Sequence, residues 1–173
     1  MSYIYLEAER LSKKFNTKNP FELLDAIGAV TILSDKYEKG GLKGFATIIN
    51  RQMFAFINSK LDEHERRIVA GHEAAHLILH KNEILTSPAC ALKDFNIYGN
   101  AGKLELEANV FLANFLVSDK DVLKSTANPD GNFYTTAAEL FMPPPLLAIK
   151  IYSMVQRGHD VKSPEGINSK FLK

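Results

Sequence analysis

Two histidines and a glutamate stand at positions from which they can share one metal ion: His72-Glu73-Ala74-Ala75-His76. On an α-helix, residues four apart differ by about 40° around the axis and about 6 Å along it, so both imidazoles can reach one ion from one face. Glu73 projects beside them, where a carboxylate can hold a water and take its proton. These residue types at this spacing point to zinc-dependent hydrolysis of a peptide bond, with His72 and His76 as ligands and Glu73 as general base. The flanking Ile68, Val69, Ala75, Leu77, Ile78 and Leu79 make the segment a largely buried helix. Histidine and glutamate are seldom placed in such a helix without a partner or a task.

A catalytic zinc takes three protein ligands and keeps one open position. The third is not supplied by the extended pattern in which another histidine follows six residues on, because position 82 is Asn82. His80 shares the stripe of His72 and His76, but three nitrogens on one straight helix cannot converge tetrahedrally. It is therefore read as a packing or supporting residue. Glu105 and Glu107, in the next strong helical segment, are the candidates. They point roughly 160° apart, so only one faces the metal. Both flank the apolar face, and the helical wheel alone leaves the choice open. Tyr98, His64 and His80 are candidates for stabilising an oxyanion, and nothing in the sequence selects one.

Several elements must position these groups. Tyr3 to Phe15 has helical periodicity. Asn19-Pro20-Phe21-Glu22 reads as a helix start, with Gly28 as its stop. Ala29 to Leu33, Phe45 to Asn50 and Gln52 to Asn58 read as strands, the last two paired across Asn50-Arg51. Asp62 caps the helix that carries the histidines. Glu83 to Asn100 reads as a long surface connection. Lys103 to Val117 is a strong helix, followed by short helices over Ser118 to Thr126 and Thr135 to Phe141. A final helix opens at Pro143-Pro144-Pro145 and ends near Arg157. Its apolar residues, Leu146 to Val155, read as core. The fold class is α+β: a mainly helical, zincin-like domain over residues 1–162 with a small antiparallel sheet of about three strands, and a loose tail over 163–173.

The whole chain bounds the reading further. Its 173 residues suit one domain with a sizeable core. A net charge of +1 leaves no electrostatic footprint for nucleic acid. No apolar run approaches the ~20 residues that span a bilayer, and Met1 to Glu7 does not resemble a secretory leader. The single cysteine, Cys90, excludes an internal disulfide framework, fits a reducing compartment and reads as a small buried side chain.

The segment from Arg67 to His80, followed by Glu105-Leu106-Glu107-Ala108-Asn109-Val110-Phe111-Leu112-Ala113-Asn114-Phe115-Leu116, resembles the ImmA/IrrE family of metallopeptidases over about residues 20–155. That family pairs a His-Glu-x-Gly-His helix with a later Glu-Ala-Asn-x-Phe-Ala helix. Ala75, Leu112 and Val117-Ser118 depart from the family's usual glycine, alanine and Met-Pro, without removing a proposed ligand or the base. The resemblance implies Glu107 as the third ligand, with Glu105 the alternative, Asn109 as a supporting or packing residue, and one zinc ion (Zn2+) per chain. It also implies a cytoplasmic endopeptidase that cleaves or inactivates a helix-turn-helix repressor of a phage, mobile element or stress regulon. A non-catalytic, zinc-containing module that sequesters a repressor or toxin is the alternative, and the intact Glu73 argues against it.

Overall fold

The computed structural model describes residues 2–38, 40–86, 102–127 and 131–161, together with the backbone of 91–94. Eight helices and four strands are defined within them: α1 (Ser2–Phe15), α2 (Pro20–Ala26), β1 (Val30–Ser34), β2 (Gly44–Ile49), β3 (Gln52–Asn58), α3 (Glu63–Leu79), α4 (Lys81–Thr86), β4 (Ala91–Asp94), α5 (Lys103–Leu116), α6 (Asp119–Thr126), α7 (Phe133–Glu139) and α8 (Pro144–Gln156). The class is α+β and mainly helical, as expected. Cys90, Tyr98 and the expected tail lie outside the described residues.

Local chemistry explains most boundaries. Asn19 caps α2 by accepting from the Phe21 N–H, and Pro20 fills the first turn, where an N–H has no helical partner. Gly28, at φ 77°, closes α2 in the left-handed region. Asp62 caps α3 through the Glu65 N–H at 2.7 Å. Asn50 and Arg51 both have positive φ, at 49° and 69°, so β2 and β3 join through a two-residue turn whose twist matches the strands.

The sheet differs from the expected antiparallel arrangement. Its order is β1-β3-β2-β4. β2 pairs antiparallel with β3 and with β4, but β1 pairs parallel with β3, in the register Val30↔Phe54 to Ser34↔Asn58. The sheet is therefore mixed. β1 joins the far edge of an already formed hairpin, and the link from β1 to β3 passes through β2 itself. Asn58 secures the crossing: its buried side-chain amide donates to the carbonyls of Glu38 (2.9 Å) and Leu42 (3.0 Å) and accepts from the Lys60 N–H (2.9 Å). β4 and all but the first two residues of α4 fall within the span expected to be an irregular connection.

α3 packs between the sheet and α5, with α2 along its side, and α5 is enclosed further by α1 and α8. Every residue of α5 from Ala108 to Leu116 is buried. Phe111 and Phe115 stack at 6.1 Å inside it. Burying each such ring contributes roughly 1.5–3 kcal/mol. The apolar face of α8 is core over most of the expected span: Leu146, Leu147, Ile149, Ile151 and Met154 are buried, whereas Val155, also expected there, turns outward and is exposed. Gly71 lets α3 meet its neighbours closely, since a Cβ there would lie 2.3 Å from Leu112 Cδ1 and 3.2 Å from Pro20 Cγ.

Candidate metal centre

The histidine pair sits mid-helix in α3, where neither sheet nor solvent intervenes between it and α5. His72, Glu73 and His76 are each fully buried. α5 crosses α3 in the opposite direction, so Leu112, Asn109 and Glu105 meet Gly71, His72 and His76 in turn. These three α5 residues follow the i, i+4, i+7 spacing of one helical stripe.

Four donor atoms converge there. His72 Nε2 and His76 Nε2 are 3.0 Å apart. Glu105 Oε2 lies 3.1 Å from His72 Nε2, and its Oε1 lies 3.5 Å from His76 Nε2. Two atoms bonded to one zinc at tetrahedral angles, each ~2.0–2.1 Å from it, stand about 3.3 Å apart. The observed separations scatter around that edge length. The set of two imidazoles and one carboxylate is also that of catalytic rather than purely structural zinc. With one atom from each of the three side chains within 4.8 Å of the other two, the set suits a single zinc ion in chemistry and can close on it with small side-chain adjustments. Burial opposes ionisation of Glu105, but hydrogen bonds from His72 and His76 outweigh it and hold the carboxyl below the ordinary carboxylate range.

Glu107, the carboxylate that the family resemblance favours as ligand, faces elsewhere. Its Oε2 lies 3.1 Å from His80 Nε2, and its Oε1 lies 3.8 Å from Lys103 Nζ. The reason is the angular separation on α5: with Glu105 turned to the histidine pair, Glu107 is carried to the flank beside the end of α3. One signal in the sequence bears on the choice. Asn109, polar in an otherwise apolar run, lies about 40° from Glu105 and roughly 160° from Glu107 on the wheel. Its Oδ1 is 3.0 Å from His72 Nδ1. His80 caps α3 and is buried, with its Nδ1 2.9 Å from His76 Nδ1. His64 is exposed in the first turn of α3, two turns before His72, and takes no part.

Glu73 points from α3 toward the start of β2. A Cβ on Gly44 would stand 2.7 Å from Glu73 Oε1, so the strand accommodates this carboxylate only because residue 44 has no side chain. Gly44 lies at the end of the glycine-rich run Lys39-Gly40-Gly41-Leu42-Lys43-Gly44, which as sequence reads as a flexible turn with no tie to the base.

The family model Peptidase_M78, described as the IrrE N-terminal-like domain, matches residues 29–151, from β1 into α8. A protein named Uncharacterized immunity region protein 2, from Bacillus phage phi105, is 32% identical over 111 residues, covering 64% of this chain and 66% of that protein. The chain thus spans just under two thirds of that relative's length. No solved structure matches it. Among the described residues, no helix is long and apolar enough to cross a membrane.

Proposed function

The chain belongs to the IrrE N-terminal-like domain family of peptidases, and from that premise we propose that it is a zinc-dependent endopeptidase with His72, His76 and Glu105 as metal ligands and Glu73 as general base. The observation that carries this reading is the convergence of three donor side chains from α3 and α5, one atom of each within 4.8 Å of the other two, with Glu73 next to His72 on the same helix. A zinc ion held there supplies Lewis acidity, for activating water and for polarising a peptide carbonyl.

The chain's own residues do the rest. Glu105 contributes the one negative charge of the ligand set, so the site keeps a net positive charge for its task. Asn109 holds His72 by its Nδ1 side and leaves Nε2 directed at the centre. Glu73 accepts the proton of the attacking water and delivers it to the departing amine nitrogen, so that the C–N bond breaks without releasing an amide anion.

The substrate in this reading is a protein in the cytoplasm, a helix-turn-helix repressor of a phage, mobile element or stress regulon. Support comes from the relative's name, which assigns that protein to a phage immunity region. The test has two parts. Purified protein is assayed for zinc, wild type beside Glu105→Gln, and a repressor reporter strain is assayed for relief by wild type and Glu73→Gln. One zinc per chain, lost with Glu105→Gln, together with relief that vanishes with Glu73→Gln, is the expected result. Relief that persists with Glu73→Gln would mean sequestration rather than cleavage.

A further inference from the structure

Glu107 and His80 have no assigned task in the zinc reading, yet they form a hydrogen-bonded line that ends on a ligand. His76 Nδ1 and His80 Nδ1 are 2.9 Å apart, and His80 Nε2 and Glu107 Oε2 are 3.1 Å apart. His76 and His80 are buried, while the Glu107 side chain is 29% exposed. We propose that Glu107 and His80 are positioning residues that fix the ring orientation and tautomer of His76. The proposal rests on the zinc reading above.

The protons follow from the chemistry of the groups. An ionised carboxylate can only accept, so the proton between Glu107 and His80 sits on His80 Nε2. The neutral imidazole then has its lone pair on Nδ1, which can only accept. The proton between the two histidines therefore sits on His76 Nδ1. That leaves the lone pair of His76 on Nε2, the atom 3.0 Å from His72 Nε2 and 3.5 Å from Glu105 Oε1. One carboxylate near the surface thus sets which nitrogen of a buried ring is available to a metal. His72 has its own, separate support in Asn109. His72 is oriented directly by Asn109 of α5, and His76 by His80 at the end of α3, with Glu107 of α5 behind it.

The test is zinc affinity, measured by chelator competition on the full chain, for wild type, Glu107→Gln, Glu107→Leu, His80→Leu, the Glu107→Leu/His80→Leu double variant and Glu105→Gln. Loss of a hydrogen-bond partner behind a ligating histidine weakens metal binding by about 10–100-fold. Glu107→Leu should fall in that range and still bind one zinc per chain. Glu107→Gln should weaken binding less, since its amide oxygen can still accept from His80. The double variant should be no weaker than His80→Leu, because both act along one line. The imidazole N–H proton of His76 Nδ1, followed by NMR in the zinc-loaded protein, should move upfield in His80→Leu as it loses its hydrogen-bond acceptor, a change that mere packing would not cause.

Wild-type affinity in Glu107→Leu overturns the proposal. So does outright loss of zinc in Glu107→Gln with retention in Glu105→Gln, which would make Glu107 the ligand. A wild type that binds no zinc sinks the functional reading itself, and the proposal with it. Because Glu107 is partly exposed, its variants fold and keep the test decisive.

Discussion

Replacing Gly44 by alanine separates the base from the metal ligands more cleanly than any change to the ligands themselves. A Cβ at this position would meet Val69 Cγ1 at 2.6 Å, Glu73 Oε1 at 2.7 Å and the Phe56 carbonyl oxygen at 2.9 Å. The last is strand backbone and cannot swing aside, and Val69 is buried. Ordinary contact begins at 3.4 Å, so the Glu73 carboxylate must retreat by about 0.7 Å. Overpacking of this kind costs typically 1–3 kcal/mol. The midpoint, about 2 kcal/mol, lowers Tm by about 4–8 °C for a chain of this size. A displacement approaching 1 Å in a reacting group costs up to ~10²-fold in rate, so turnover of a quenched fluorescent peptide should drop by roughly 10–100-fold. Zinc content should stay at the wild-type value, since the three atoms nearest that Cβ belong to Val69, Glu73 and Phe56 rather than to a ligand. Thermal unfolding, zinc analysis and peptide hydrolysis on one preparation decide the matter. A Gly44→Ala protein with Tm within about 1 °C of wild type and unchanged turnover would refute the close approach of β2 to Glu73.

Gly71→Ala sets a helix-propensity gain of about 1 kcal/mol against a Cβ 2.3 Å from the buried Leu112 Cδ1. Urea unfolding should show a net loss of about 1 kcal/mol, and a stabilised variant would contradict the tight α3–α5 contact. Asn58→Ala should cost about 1–3 kcal/mol, because the Glu38 and Leu42 carbonyls and the Lys60 N–H lose their shared partner; a change under about 0.5 kcal/mol in the same assay would refute that role. Asp119 accepts from both Lys150 (2.7 Å) and Arg157 (2.5 Å), so Asp119→Asn, which removes the counter-charge of the fully buried Lys150 and leaves it only the neutral Asn114 Oδ1 at 2.9 Å, should cost about 3–5 kcal/mol. Burial pushes the Lys150 ammonium down to about 8, despite the hydrogen bond to Asp119 that favours the charged form. Between about 8 and its ordinary 10.5 the unfolded chain therefore holds the extra proton, and the contribution of Lys150 to stability grows with pH across that window. Asp119 moves the other way: burial opposes its charge, the two cations overcome this, and its stabilisation is lost on acidification below the ordinary carboxylate range. Stability measured from pH 7 to 10.5 should rise more in wild type than in Lys150→Met, and parallel curves would refute the assignment.

How far the sequence reached can be judged residue by residue. α1, α5 and α8 were legible because their apolar residues recur at helical spacing, and α2, α3 and α6 because Asn19, Asp62 and Ser118 announce their caps. The β2–β3 turn was legible because Asn50-Arg51 separates two strand-like runs. The parallel pairing of β1 was not, because it depends on contacts between residues far apart in the chain, while neighbouring strands without a helix between them read as hairpins. α4 and β4 are too short to show a period of their own. At the site, His72, Glu73 and His76 come from one local motif and were visible at once. The two glutamates were not separable from the wheel, since both flank the apolar face. Asn109, on the same stripe as Glu105, is the polar residue that marks the face of α5 turned to the histidine pair, and the packing of that face on α3 leaves Glu107 to His80.

The sheet order also implies an order of assembly. β2 and β3 are joined by a two-residue turn, and hairpins of this kind close in about 1–10 μs. β1 has no strand partner until β3 is in place, because among the described residues the strand beside it is the outer edge of that hairpin. Its pairing must therefore wait, although β1 precedes both strands in the chain. Substitutions in the hairpin should slow folding, whereas those at Val30 or Leu33 should mainly hasten unfolding. The strand that comes first in the chain is then secured only after the two that follow it, as β4 is on the opposite edge.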